Sequence, residues 1–365
     1  VSEKLHPIHI AILIYMTQFG IMLFSIPRIV ADNFGTNGWV ALLLSGIVAA
    51  INIGLIGLVY RLSDGNSIFE LLESVFPKFV LFPCYILLAS IWSFLGCLIG
   101  KQYILLFQMV AFPTTSPMIF KFLFDILAFL LLIKGIYNIS KASNLFFFMT
   151  IWVIFIIFFY TDEFQWIRLT PFLFRGGNIT WDNSLEVYTA FLGYELSMLF
   201  FPYVARGSKF IRAVHIGNLS VMVVYILFSI ISFGFFSFGQ LRQLMYPFLD
   251  LLAYIQLPFI ERIENLLFTF FLFNILITTV MYFWGAAQTL KRAFPRSRTG
   301  WVEFLTVLTC YIASFFLTVI SEVEQWLRYL GYSAIAIAFG LPLILLVILL
   351  VRRGKRKHAK ASEQA

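Results

Sequence analysis

The feature that most constrains this chain is the recurrence of apolar runs about 20 residues long. Such a run can cross the ~30 Å hydrocarbon core of a bilayer as a helix that closes every backbone hydrogen bond internally. We read ten runs: residues 10–31, 38–60, 80–107, 116–136, 143–160, 184–204, 213–236, 263–289, 302–320 and 329–351. Composition argues the same way, with 61% of the 365 residues hydrophobic and 12% charged. Soluble domains average roughly 45–50% and ~25%, and a water-solvated exterior could not accommodate the difference. The first run is too long for a signal-peptide core and lacks a basic leader and a small-residue cleavage site, so it reads as a true span. The expected fold class is all-α integral membrane, about ten transmembrane helices in one domain over 1–365.

The net charge of +8 could suggest nucleic acid, but its placement does not. With the N-terminus in the cytoplasm, 18 of the 26 Lys and Arg fall on the inner side, as the positive-inside rule requires. They include Arg61, Arg206, Lys209, Arg212 and six in the tail 352–365, RRGKRKHAK in part. The tail reads as a topology anchor near anionic lipid. Cys84, Cys97 and Cys310 all lie inside apolar runs, as small core hydrophobes with no paired spacing.

A repeat is legible in the connectors. After span two, Ile68, Leu71, Leu72, Val75 and Phe76 share one helical face, and Ser67 with Glu70 matches a capping box. After span seven, PFLDLLAYI (Pro247–Ile255) is a second short amphipathic helix, followed by Pro258. The spans echo this. Span one, TQFGIMLFSIPR, has Gly20 near mid-membrane and then Pro27; span six, FLGYELSMLFFPY, has Gly193 and then Pro202. Interrupted helices at corresponding places in two halves point to a five-plus-five inverted repeat, with halves at 9–160 and 183–351.

A ligand site in such a repeat lies at the midplane, where broken helices expose backbone N–H and C=O groups. Half-helix N-termini favour anions such as a carboxylate. Span one offers Thr17, Gln18, Phe19, Gly20, Ile21 and Met22; span six offers Gly193, Tyr194 and Glu195; span eight offers Asn274, Thr278 and Thr279. The alternative at each break is a kink that serves packing. Glu195 is the sharpest candidate, because a mid-membrane carboxylate must pair, face a wet cavity or keep its proton. Lys121 and Asp125, four apart on span four, read as a structural pair. Lys101 reads as a cation snorkelling outward from span three. His6, His9, His215 and His358 have no metal-ligand spacing, and no P-loop, dinucleotide fingerprint or nucleophile elbow is present, so no cofactor and no catalytic activity are expected.

FGIMLFSIPR followed by DNFGTNGWVALLLSG, then FLGYELSMLFFPY and IERIENLLF, resembles the B subunits of bacterial spore germinant receptors over essentially the whole chain. That family belongs to the amino acid–polyamine–organocation transporter superfamily, with a five-plus-five inverted-repeat fold. The resemblance implies a germinant-sensing subunit in the spore inner membrane, acting with a membrane A subunit and a lipoprotein C subunit. It implies a small nutrient, commonly an amino acid, held between spans one, three, six and eight, which adds Cys97 of span three to the candidate lining. A proton-coupled amino acid permease is the alternative function. The chain departs from the family's frequent Gly-x-Gly at the first break, where Met22 replaces the second Gly.

Overall fold

The structure, a computed structural model, describes residues 4–255, 263–298 and 300–363, with side chains described throughout except at 263, 264 and 354–363. Pro258, the opening IER of IERIENLLF and the side chains of the basic tail beyond Arg353 lie outside the described residues.

Apolar runs become helices as expected, and the two spans read as interrupted, one and six, are each built from two pieces. Span one divides into α1 (Pro7–Gln18) and α2 (Met22–Phe34), bent by 61°. Span two is α3 (Trp39–Leu62), followed by the short connector α4 (Ile68–Glu73). Then come α5 (Lys78–Ala111), α6 (Pro117–Leu132) and α7 (Gly135–Thr150), which runs on into a 3₁₀ segment, Ile151–Tyr160. Span six divides into α8 (Trp181–Thr189) and a 3₁₀ segment, Tyr194–Tyr203. The remainder is α9 (Phe210–Phe235), the connectors α10 (Phe238–Gln243) and α11 (Pro247–Tyr254), and α12 (Ile263–Ala293), α13 (Trp301–Ala313) and α14 (Ile320–Glu363). Among the described residues the only extended pairing is one bridge between Leu5 and Val204.

Among the described residues six helical stretches are individually long and apolar enough to cross a membrane, and the bent α1–α2 pair, taken as one span, makes a seventh. The other three expected crossings are shorter or interrupted. α6 has 16 residues and α13 has 13, about 24 and 20 Å at a rise of 1.5 Å per residue. Span six is broken at 190–193. A helix shorter than the hydrocarbon core is accommodated by local thinning of the bilayer or by flanking residues that reach the interface.

Three expectations change. Span five begins at Gly135, not 143, because its polar first turns are already helical. The Ser67–Glu70 capping box does not form: Ser67 precedes α4 without a side-chain bond to it, and the helix stops at Glu73. Lys101 does not snorkel. It is 1% exposed, with its ammonium 3.1 Å from Met118 Sδ, because α5 turns that face inward against α6. The Lys121–Asp125 pair does form, at 2.5 and 2.6 Å and fully inside the bundle.

The largest helix–helix interface joins α5 to α12, and α1 packs on α9, which packs on α3. Small residues permit these approaches, as in membrane bundles generally. A Cβ on Gly96 would lie 3.0 Å from Thr279 O, and one on Gly217 would lie 2.7 Å from Ala11 O. The outer faces carry Phe79, Phe148, Phe155 and Val347 into the lipid.

Candidate ligand-binding site

The two helix breaks meet. α1 ends at Gln18, and Phe19 to Ile21 turn before α2 begins at Met22. α8 ends at Thr189, and the chain turns through Gly193 at φ +117°. That conformation is open to glycine and strained for a side chain. Space gives a second reason: a Cβ on Gly193 would sit 3.0 Å from Thr17 Cγ2 and 3.3 Å from Thr17 O. The two breaks are in backbone contact.

Hydrogen bonds lock them. Gln18 Nε2 donates to Phe191 O at 2.5 Å and to Asn218 Oδ1 at 3.1 Å, and Asn218 Nδ2 donates to Gly46 O at 3.2 Å. Tyr225 OH donates to Gln18 O at 2.9 Å. Thr278 Oγ1 lies 3.0 Å from Met16 O, tying α12 to the last turn of α1. Helix ends leave carbonyls without intrahelical donors, and here Tyr225 and Thr278 supply them.

Beside this junction lies a cavity of about 80 Å³. Thr17, Gln18, Gly20, Ile21, Met22 and Thr278 line it. Gln18 Oε1 has no protein partner. Lining positions outside the expected set include Gln102 of α5, Tyr282 of α12 and Gly331 of α14, besides Thr189 at the end of α8 and several apolar residues of α5 and the second break. Tyr282 was findable, since it stands one helical turn beyond Thr278 on the same face. Gln102 is a neutral polar residue in an apolar span, and the charge of its neighbour Lys101 is the stronger local signal. Nothing local marks Gly331.

The other candidate residues are close to the junction but do not line the cavity. Phe19 packs among Tyr15, Tyr225 and Phe271 at centroid distances of 5.1, 6.1 and 5.7 Å. Tyr194 OH meets Asn52 Nδ2 at 2.7 Å and Tyr188 OH at 2.6 Å, fastening span six to spans two and ten through Asn52, which also bonds Ala338 O at 2.8 Å. Asn274 approaches Thr150, and Thr279 donates to Gly96 O at 3.2 Å, both as helix–helix contacts. Cys97 Sγ is 3.1 Å from Cys310 O, in the packing between α5 and α13.

Glu195 is fully buried. Its Oε2 accepts from Gly193 N at 2.6 Å and its Oε1 from Tyr282 OH at 3.1 Å. The carboxylate therefore closes the Gly193 turn and reaches the cavity wall through one phenol. A charge buried in the bundle survives only with such donors.

Polar ties flank the cavity on both sides. On one, Gln102 Nε2 and Tyr246 OH both donate to Glu324 Oε1, at 3.2 and 2.8 Å. Burial, and next the Glu324 carboxylate, push the Tyr246 phenol above its ordinary range, so it stays a donor. On the other, Leu5 N donates to Tyr203 O at 2.9 Å and Lys4 Nζ to Pro202 O at 2.7 Å.

Comparison with known proteins gives consistent results. The family model described as "Spore germination protein" matches residues 4–323. Spore germination protein GerQB of Bacillus cereus is 25% identical over 366 residues, covering 95% of this chain and 96% of that one. Spore germination protein A2 of Bacillus subtilis (strain 168) is 28% identical over 359 residues, covering 92% and 93%. Among solved structures, Mhp1, a nucleobase-cation-symport-1 family transporter in a closed conformation with bromovinylhydantoin bound, superposes with a TM-score of 0.62 at 14% identity, covering 95% of this chain and 78% of that one. A manganese transporter of Eremococcus coleocola gives 0.62 at 13% identity, covering 94% and 78%. The fold is that of these transporters: an all-helical multi-pass membrane protein of the five-plus-five inverted-repeat type.

Proposed function

This chain belongs to the spore germination protein family, and from that premise we propose that it is the nutrient-sensing membrane subunit of a germinant receptor. The proposed ligand is a small solute such as an amino acid, held at mid-membrane; the proposed location is the inner membrane of the spore. Its partners in this reading are a membrane A subunit and a lipoprotein C subunit, and its repeat halves run from 9 to 160 and from 183 to 351.

One observation carries the reading: two helix breaks meet beside a small, largely apolar cavity into which Gln18, Gln102, Thr278 and Tyr282 bring polar groups, in a chain of this family. At the start of α2, Leu23 N and Phe24 N already bond Gly20 O and Ile21 O at 3.3 and 3.1 Å, while among the described residues no backbone acceptor takes the N–H of Ile21 or Met22, and both residues are in the wall. A solute carboxylate fits there, with Gln18 Oε1 free to accept from an ammonium. Binding changes the relative stability of arrangements of α1 and span six, and only that difference can signal. Ligand-induced thermal shift across a panel of small nutrients, paired with a germination assay of a strain lacking this subunit, tests the reading. A ligand whose stabilisation is lost in Thr278→Val and Gln18→Leu supports it. Germination without any binding to this subunit sinks it.

The second reading is a proton-coupled amino acid permease. Glu195 favours it, standing one hydrogen bond from the cavity through Tyr282. Labelled amino acid uptake into proteoliposomes under an imposed proton gradient separates the two, since a permease accumulates solute and a sensor need not.

A further inference from the structure

A groove of about 820 Å³ opens toward the lipid between α1, α7 with its 3₁₀ extension, and α9. It is separate from the central cavity. Its walls are apolar: Ile8 and Ile12 from α1, Phe147 from α7, Ile216 and Val223 from α9. At one end stand Lys209 and Arg212. These two residues also line a neighbouring hollow of about 560 Å³, together with Arg61, Arg206 and Asp64. Four cations there face one carboxylate, and among the described residues none of the four is in an ion pair.

The groove's dimensions fit one leaflet. From Lys209, just before α9, to Val224 within it the groove runs about 22 Å at helical rise, against ~20–22 Å for one leaflet with its head-group layer. The cations belong to the side that the Lys/Arg bias places in the cytoplasm. Bulk acyl chains would satisfy the apolar walls alone; the exposed cations at the mouth, Lys209 and Arg212, add a charge complementarity that favours a negative head.

We propose that this groove is a binding site for an anionic diacyl phospholipid of the cytoplasmic leaflet. One acyl chain lies between α1, α7 and α9, and the phosphate sits between Lys209 and Arg212. Basic pockets between transmembrane helices recognise head groups in this way. The site bears on the central junction through Tyr15, which lines the groove and stacks on Phe19 at the first break, with centroids 5.1 Å apart. An occupied groove braces α1 against α7 and α9.

The test uses the full-length protein in detergent micelles supplied with phosphatidylglycerol or phosphatidylcholine of identical chains. Retained lipid is counted by native mass spectrometry, and thermal unfolding is followed in parallel. Wild type is expected to retain and be stabilised by phosphatidylglycerol over phosphatidylcholine. Lys209→Gln with Arg212→Gln should lower that preference roughly tenfold or more, and the charge-keeping pair Lys209→Arg with Arg212→Lys should restore it. Ser220→Trp, which plugs the groove while leaving both cations, should also abolish it. Equal retention of the two lipids by wild type overturns the proposal, as does an unchanged preference in the double Gln variant. Stabilisation by glycerol phosphate alone that survives Ser220→Trp overturns it in favour of a plain anion pocket. A co-purifying polypeptide displaced by the plug, with no lipid preference, overturns it in favour of a protein contact.

Discussion

Glu195 serves two donors, and substitutions separate its possible roles. Glu195→Ala leaves Gly193 N–H and Tyr282 OH buried without partners, at about 1–3 kcal/mol each. We expect loss of the nutrient response and a lower unfolding temperature, with the protein still in the membrane. Glu195→Gln keeps both contacts, its carbonyl accepting from Gly193 N–H and its amide donating to Tyr282 OH. A sensor should keep most of its response with Gln, whereas a proton-coupled permease should lose coupling. A normal response from the Ala variant at normal abundance means that Glu195 is not part of the site. Met22 gives a second residue-scale prediction. Its side chain is in the cavity wall, and its backbone is helical, so the left-handed freedom of a glycine is not what the substitution removed. Met22 takes up volume. Met22→Gly should strengthen binding of alanine-sized amino acids, read as a larger ligand-induced thermal shift, and Met22→Ala should do so at less cost to α2. If wild type binds them tightly and neither variant differs, the side chain does not reach the ligand.

Among the elements, the two glycines of the broken spans differ physically. Gly193 is at positive φ and against Thr17, whereas a Cβ on Gly20 would meet only Gln18 O and Thr278 Oγ1, both at 3.9 Å. Gly193→Ala should therefore destabilise the protein by at least ~1–2 kcal/mol, and Gly20→Ala should be nearly neutral in stability. Thermal unfolding of the two variants side by side checks this, and equal effects would mean that the breaks do not pack as described. The Glu324 tie joins three elements: α5, the Tyr246 turn before α11, and α14. Glu324→Ala removes the acceptor of Gln102 and Tyr246, so the cavity should become more accessible from that side. Faster modification of a cysteine placed at Ile99, in the cavity wall and outside the tie, would show it, and an unchanged rate would count against a closing role.

The whole molecule has an orientation that the charges predict. With 18 of 26 Lys and Arg on one side, both termini should face the cytoplasm or spore core. In a cysteine-free background, Cys at Ser362 should be protected from impermeant thiol reagents in intact cells, and Cys at Asn178 should react. The reverse pattern would overturn the orientation and the span count together. The same orientation puts the Glu324 tie on the outer side and the Leu5–Tyr203 tie on the inner side, with the breaks between them.

The sequence by itself determined the class of fold, because hydrophobic run length and backbone self-satisfaction in lipid leave a chain of this composition little else. It also located both breaks, since glycine and proline act on the backbone locally: Gly20, Gly193 and the connector at Pro247 are where the pattern put them. Only the tertiary structure decided which polar groups face one another. Gln18 lines the cavity while its neighbour Phe19 turns into an aromatic cluster, and Thr278 reaches Met16 while Thr279 reaches Gly96, one residue apart on one helix. Lys101, whose place near the end of an apolar span points outward, is buried, because its direction depends on the face α5 gives to α6. Rotation of a uniformly apolar helix about its axis leaves almost no trace in its own sequence: periodicity is faint when lipid and protein are both apolar. The partner helices set that rotation, and with it the site.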